Sequence, residues 1–199
     1  MHISEGILSG SVLIAGWAGT CALTAVGLKK TDKSKIVRTA LAASVFFLAS
    51  LVNVRVGPTS THLSLLAPMG LVLGWGVFPA VLTALLLQAV LFGFGGLLVL
   101  GVNTFVMGTA ALSAYLLFGK IIRRTTSRGA LGGILFVAGF VPVMIGALLV
   151  AACLAFTDYN LLTAVKVLVA AHLPLANIEG AVTIFLITLL KNFAPEFLA

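Results

Sequence analysis

The sequence predicts an all-α integral membrane protein: a bundle of about seven transmembrane helices, N-terminus outside and C-terminus cytoplasmic. Three observations carry this prediction. Of 199 residues, 61% are hydrophobic and only 9% charged, against about 45–50% and about 25% in soluble domains. Apolar runs recur along the whole chain, and lipid obliges each backbone group to find its partner within its own segment. The basic residues fall in clusters that one topology gathers on a single side. Together these exclude a soluble globular enzyme, a disordered chain and a disulfide-rich secreted module.

The runs follow in order. The first covers about 7–28 and ends at Lys29-Lys30; the second covers about 36–54 and ends at Asn53, Arg55, Gly57 and Pro58. A polar stretch, Thr59-Ser60-Thr61-His62, leads into a short third run, about 63–76, interrupted by Pro68. Gly74-Trp75-Gly76 with Pro79 marks a tight turn. The fourth run, about 78–100, holds Gly93, Gly95 and Gly96; Gly101-Val102-Asn103 reads as a second break. The fifth run is about 104–122 and the sixth about 130–156. A weaker stretch, 161–171, leads through His172-Leu173-Pro174 to the seventh span, about 175–193. At roughly 20 residues per span, seven spans leave short loops and no soluble domain. Residues 1–199 form one transmembrane domain, with no internal repeat.

The net charge is +7. In an apolar chain this concerns topology, and no aromatic and basic interleaving marks a nucleic-acid surface. Placing the Lys29–Arg38 and Lys120–Arg128 clusters in the cytoplasm fixes the orientation and leaves only Arg55 and Lys166 outside. The N-terminus lacks a basic n-region, so it is expected to be uncleaved. Cys21 and Cys153 lie in apolar runs and read as two buried thiols rather than a disulfide.

The same topology brings Met1, His2, His62, Asn103, His172 and Glu179 to the outer end. Ionisable groups near membrane depth are costly and are candidates for function. His2 belongs either to a loose terminus or to a chelate. In the chelate, the Met1 amine and the His2 amide nitrogen close a five-membered ring on a metal. That amide and the His2 Nδ1 close a six-membered ring. Three coplanar nitrogens suit nickel(II) or copper(II). His62, on irregular backbone, can supply a fourth nitrogen or simply bond a carbonyl. Glu5, Asn103 and Glu179 are candidates to accept from the second nitrogen of a ligating ring, or serve as caps and interhelical bonds. Met69 reads as core packing. The small residues Ala15, Ala18, Gly19 and Ala22 at small-xxx-small spacing fit either a partner helix or the chain's own bundle.

Four segments resemble a known family. Met1-His2-Ile3-Ser4-Glu5-Gly6, Gly57-Pro58-Thr59-Ser60-Thr61-His62-Leu63, Gly101-Val102-Asn103-Thr104-Phe105, and His172-Leu173-Pro174 with Ile178-Glu179-Gly180 are similar, in order, to the CbiM/NikM proteins. These are substrate-specific components of cobalt and nickel energy-coupling-factor transporters. The resemblance implies a multi-pass protein of the prokaryotic inner membrane, bound to no permanent cofactor, that captures Ni2+ or Co2+ through Met1, His2 and His62. His172 is expected to support the ligands from behind or to lie on the entry path. The resemblance also implies a transmembrane coupling subunit, a cytoplasmic ATPase pair and a small accessory membrane subunit as partners. Val106 stands where the family often has a second asparagine, which removes a hydrogen-bonding group.

No phosphate-cradling Gly-x-x-x-x-Gly-Lys-Ser/Thr segment is present, so uphill transport by the chain would need partners. Two rivals compete with the subunit reading. An intramembrane metalloenzyme would need more acids than the five present, and the His-Glu-x-x-His signature is absent. The other is a non-metal substrate binder or an autonomous carrier or channel: a vitamin binder would want a larger aromatic-lined cavity than two tryptophans and two tyrosines offer, and a proton-coupled carrier would be expected to place an acid at mid-membrane, where this topology has none. Planar nitrogen ligation leans toward nickel; the sequence leaves the choice between nickel and cobalt open.

Overall fold

A computed structural model describes residues 2–51, 53–56, 59–158 and 162–198. Its order is β1 (His2–Ile3), α1 (Gly10–Lys30), α2 (Ile36–Ala49), β2 (Asn53–Val56), β3 (Thr59–His62), α3 (Leu66–Leu73), α4 (Val77–Phe92), α5 (Leu100–Arg124), α6 (Arg128–Thr157) and α7 (Leu162–Phe193). Among the described residues, five apolar segments have the length to cross a membrane: Gly10–Lys30, Leu66–Phe92, Leu100–Arg124, Arg128–Thr157 and Val165–Phe193; Ile36–Ala49 is shorter.

The third run is the exception to simple spanning. At 8 residues, α3 rises only about 12 Å, short of the ~30 Å hydrocarbon core. Gly70 lies against Ala111 and Gly74 against Tyr115, whereas Phe78 lies against Gly108. The chain therefore descends along α5 and turns at the 3-10 turn Gly74–Gly76. It climbs back as α4, so Leu66–Phe92 is folded double. A Cβ on Gly70 would overlap the Ala111 carbonyl, so this close helix crossing requires glycine.

The exterior is as apolar as the interior, which is the pattern lipid imposes. Ile14, Val37, Leu48, Val90, Leu98 and Phe185 are exposed while Phe46, Phe78, Met107 and Leu135 are buried. Met69 is packed in that core. One end of the bundle is basic: Lys30, Lys35, Arg38 and Arg123 line one cavity there and Arg128 and Lys191 another.

Four sequence expectations are corrected. First, within a chain that is predominantly helical as expected, the segment carrying His62 is a strand rather than irregular backbone: the order β1-β3-β2 forms a three-stranded antiparallel sheet. Two- and four-residue strands carry too little alternation to be read in sequence, and the second helix stops at Ala49 rather than running to 54. Second, the break near residue 100 comes earlier. Gly93, Gly95 and Gly96 have positive φ and end α4, while Gly101, Val102 and Asn103 lie inside α5. Third, His172-Leu173-Pro174 is not a loop end but part of α7, with Pro174 inside the helix. Fourth, Cys21 is exposed, not buried; both cysteines are free.

Candidate metal centre

The strand register builds the site. His2 pairs with Ser60 across β1 and β3. Positions 60 and 62 share a face, so His62 is the diagonal neighbour of His2, a separation that ring side chains bridge. The two imidazoles stack with centroids 4.8 Å apart and planes 28° from parallel. Both residues are only 3% exposed. Phe46 of α2 closes one side, edge-on to His62 at 6.2 Å.

The His62 ring is oriented by its own chain. Its Nδ1 is 3.0 Å from the Leu63 carbonyl, an acceptor only, so Nδ1 carries the proton and donates. Nε2 is then the lone-pair nitrogen of a neutral imidazole. Nε2 is buried and has no hydrogen-bond partner among the described residues. Burial favours the neutral ring: it lowers His2 from 6.5 to about 3 and His62 well below its usual value. A neutral imidazole with a free, buried lone pair is what metal ligation requires.

Glu179 holds the turn that follows His62. Its Oε1 accepts from the Ser64 amide, from Ser64 Oγ at 2.8 Å and from the Leu65 amide at 3.0 Å. Leu65 has φ 49°, a left-handed conformation that a leucine adopts only when its surroundings impose it. Three hydrogen bonds to one buried carboxylate oxygen impose it here. Glu179 thus ties α7 to the backbone just after the ligand candidate.

Asn103 secures the other strand. Its Oδ1 accepts from the Ile3 amide and its Nδ2 donates to the Ile3 carbonyl, each at 3.0 Å. β1 is an edge strand, and a buried edge needs partners for both backbone groups. The carboxamide supplies both, as a neighbouring strand would. Gly95 packs against this pair, and Gly96 (φ 120°) sits where a Cβ would overlap the Glu5 side chain. Glu5 Oε1 accepts from the Leu98 amide at 2.7 Å, and the Glu5 amide donates to the Gly95 carbonyl at 2.9 Å. The chain at β1 is therefore locked to the turn before α5.

These contacts place each predicted residue. His2 and His62 come together. For His62 the acceptor on the second ring nitrogen is the Leu63 carbonyl, not Glu179, Asn103 or Glu5. Those three fix the backbone that carries the histidines. His172 is buried in α7, with Nδ1 donating to the Leu168 carbonyl at 2.8 Å and a buried Nε2. Among the described residues no three His, Cys, Asp or Glu side chains converge closely enough to hold a metal. Side chains alone thus make a two-histidine site; Met1, the other predicted ligand, lies outside the described residues. Sequence reasoning missed Ser64, Leu65 and the Ile3 backbone, whose partners lie about a hundred positions away and leave no local signal. In the small-residue stripe, Ala15, Ala18 and Ala22 are exposed. Gly19 is taken up within the chain, against Phe105.

Comparisons with known proteins show the family and the fold. The family model described as the cobalt uptake substrate-specific transmembrane region, CbiM, matches residues 2–197. A Haemophilus influenzae protein named for metal transport is 41% identical over 201 residues, covering 98% of this chain and 96% of its own length. The fused nickel transport protein NikMN of Rhodobacter capsulatus is 28% identical over 222 residues, covering 100% of this chain and 64% of its own. A crystal structure of a transition metal transporter superposes with TM-score 0.83 at 26% identity, over 96% of this chain and 93% of that one.

Proposed function

The chain belongs to the CbiM family, a multi-pass prokaryotic membrane component of cobalt and nickel transport, and from that premise we propose how it handles the metal. It captures Ni2+ or Co2+ at the outer face through the Met1 amine, the His2 amide nitrogen and Nδ1, and His62 Nε2. It then passes the metal on for ATP-driven uptake by a coupling subunit and an ATPase pair. The observation that carries this reading is the His62 Nε2 lone pair, buried, without a hydrogen-bond partner among the described residues, beside the stacked His2 ring. A metal with planar nitrogen ligation accepts such a set.

The termini follow from the basic end. With that end in the cytoplasm, the N-terminus is outside and the C-terminus inside. The chain binds and releases metal rather than catalysing a reaction. Its relatives are transporters, and a four-nitrogen plane leaves no open position for a substrate. A partner helix has a place to sit: Ser11, Val12, Ala15, Phe105, Leu149 and Phe156 line an apolar groove on α1, α5 and α6. The small accessory subunit or the coupling subunit would pack there, against Ala15 and its exposed neighbours Ala18 and Ala22.

Reconstitution tests the energy source. The chain alone in liposomes should bind nickel or cobalt but not accumulate it under a pH gradient or voltage. Adding the coupling subunit, the ATPases and ATP should give accumulation. Gradient-driven accumulation by the chain alone would replace this reading with an autonomous carrier.

A further inference from the structure

At the basic end, four cations face one cavity of about 320 Å³: Lys30, Lys35, Arg38 and Arg123. That volume is at the lower end of small-molecule sites. The hydroxyl-bearing side chains of Thr31, Thr39 and Tyr115 line the same space, and among the described residues no carboxylate does. Of the nearby acids, Asp32 acts on Lys35 from outside the cavity lining. Asp32 is turned to the Ser34 amide, and Glu196 offers Arg38 its backbone carbonyl at 2.7 Å rather than its carboxylate. Two of the cations are held in place by aromatic rings. Lys30 Nζ sits 4.0 Å from the Trp75 ring centroid, and the Arg38 guanidinium sits 4.8 Å from that of Phe197. Charge orientation alone would require only that lysines and arginines lie at this end. It would not require four of them, from α1, the turn before α2, α2 and α5, to converge on one recess.

The helices that supply the cations carry exposed apolar residues next to them on the bilayer side. Leu28 on α1, Leu41 on α2, and Leu117 and Ile121 on α5 are 63%, 54%, 52% and 48% exposed. A phosphate group in the recess would thus have exposed apolar side chains for its acyl chains on the same helices that carry the cations. We propose that this cavity binds the headgroup of an anionic phospholipid from the leaflet at the basic end. The phosphate diester is held by Lys35, Arg38 and Arg123, and the acyl chains lie along α2 and α5. Basic pockets between transmembrane helices recognise such headgroups through this combination of charge and depth. A free anion would use the charge and leave the apolar surface unused.

The test uses the full chain in nanodiscs. Spin-labelled phosphatidylglycerol and phosphatidylcholine are each added in trace amounts, and the immobilised fraction of each is read. The native chain should immobilise phosphatidylglycerol preferentially. Lys35→Gln with Arg38→Gln and Arg123→Gln should lower that preference by at least the fivefold expected for one cation near an anionic lipid. The charge-keeping set Lys35→Arg, Arg38→Lys and Arg123→Lys should retain most of the preference and controls for folding. Lys120→Gln with Arg124→Gln removes exposed charge at the same end, outside the cavity, and should leave the preference unchanged. No preference in the native chain, or equal loss in the two glutamine sets, would overturn the proposal. So would displacement of the labelled lipid by inorganic phosphate, which would mark the recess as a site for free anions.

Discussion

His2 and His62 stack at 4.8 Å because β1 and β3 pair His2 with Ser60, one pleat from His62. Sixty residues of chain separate the two rings, and one register brings them together. A slip of one residue would turn His2 to the opposite face of the sheet. The devices that prevent the slip, Asn103 on Ile3 and Glu179 on the Ser64–Leu65 turn, are therefore part of the site although neither touches a ring nitrogen of His62.

Substituting the histidines should separate ligands from supports. His62→Ala removes the Nε2 lone pair, and His2→Ala removes the imidazole arm of the chelate; each should abolish nickel and cobalt binding in equilibrium dialysis. His172→Ala should weaken it by about 10–100-fold, as loss of an outer partner does. Equal loss in all three, or none for His62→Ala, contradicts the assignment.

Asn103→Leu keeps the volume of the side chain and removes both hydrogen bonds to Ile3. Each stranded backbone group costs about 1–3 kcal/mol, concentrated on β1. Thermal stability should fall modestly, while metal affinity falls by tenfold or more. Asn103→Asp keeps the acceptor for the Ile3 amide and sets a carboxylate against its carbonyl, so it should not rescue binding. Affinity unchanged in Asn103→Leu would show that β1 is held by other means.

Glu179→Gln retains the oxygen that accepts from Ser64 and Leu65, and should keep the fold and most of the metal affinity. Glu179→Leu strands three donors and leaves Leu65 without the bonds that hold its positive φ. It should lose several kcal/mol of stability and much of the expressed, folded protein. The measurement is thermal unfolding of both variants in detergent. Similar stability in the two would mean that the turn does not depend on this carboxylate.

Acid should destabilise the metal-free protein. His2 is lowered from 6.5 to about 3, and His62 also lies below its usual value, with burial the main cause of both. Between pH 6.5 and about 3 the unfolded chain binds protons that the folded chain does not. Stability therefore rises with pH and falls as pH drops through that window, by up to about 1.4 kcal/mol per unit for each ring. Above pH 6.5 both rings are neutral in either state and contribute no slope. Unfolding midpoints that differ between native and His2→Ala below pH 6, but converge at pH 7.5, would bear this out. Parallel curves would not.

The long apolar helices were legible because hydropathy acts over whole segments. The 3-10 turn at Gly74–Gly76 was legible for the same reason that glycine and proline punctuate any chain. Pro174 misled: in lipid a proline can stay inside a helix when neighbouring groups satisfy the freed carbonyl, so His172 belongs to α7 and not to a loop. Gly101 misled likewise, since it is there to admit Trp17 of α1 against α5 and not to break a helix. At the site, residue type alone marked His2 and His62. What Asn103 and Glu179 do was not legible, because their partners are backbone groups brought close only by the fold.

The proposed capture of metal turns on a free Met1 amine, since two histidines alone give an incomplete ligand plane. Equilibrium dialysis of nickel and of cobalt against the native chain, and against a chain with a histidine-free tag fused ahead of Met1, tests this most directly. Circular dichroism confirms that both are folded. The native chain should bind one ion, and the extended chain should bind none, because its terminal amine can no longer close the five-membered ring with the His2 amide. Equally tight binding by the extended chain would contradict the chelate, and with it the proposed capture of metal by Met1, His2 and His62.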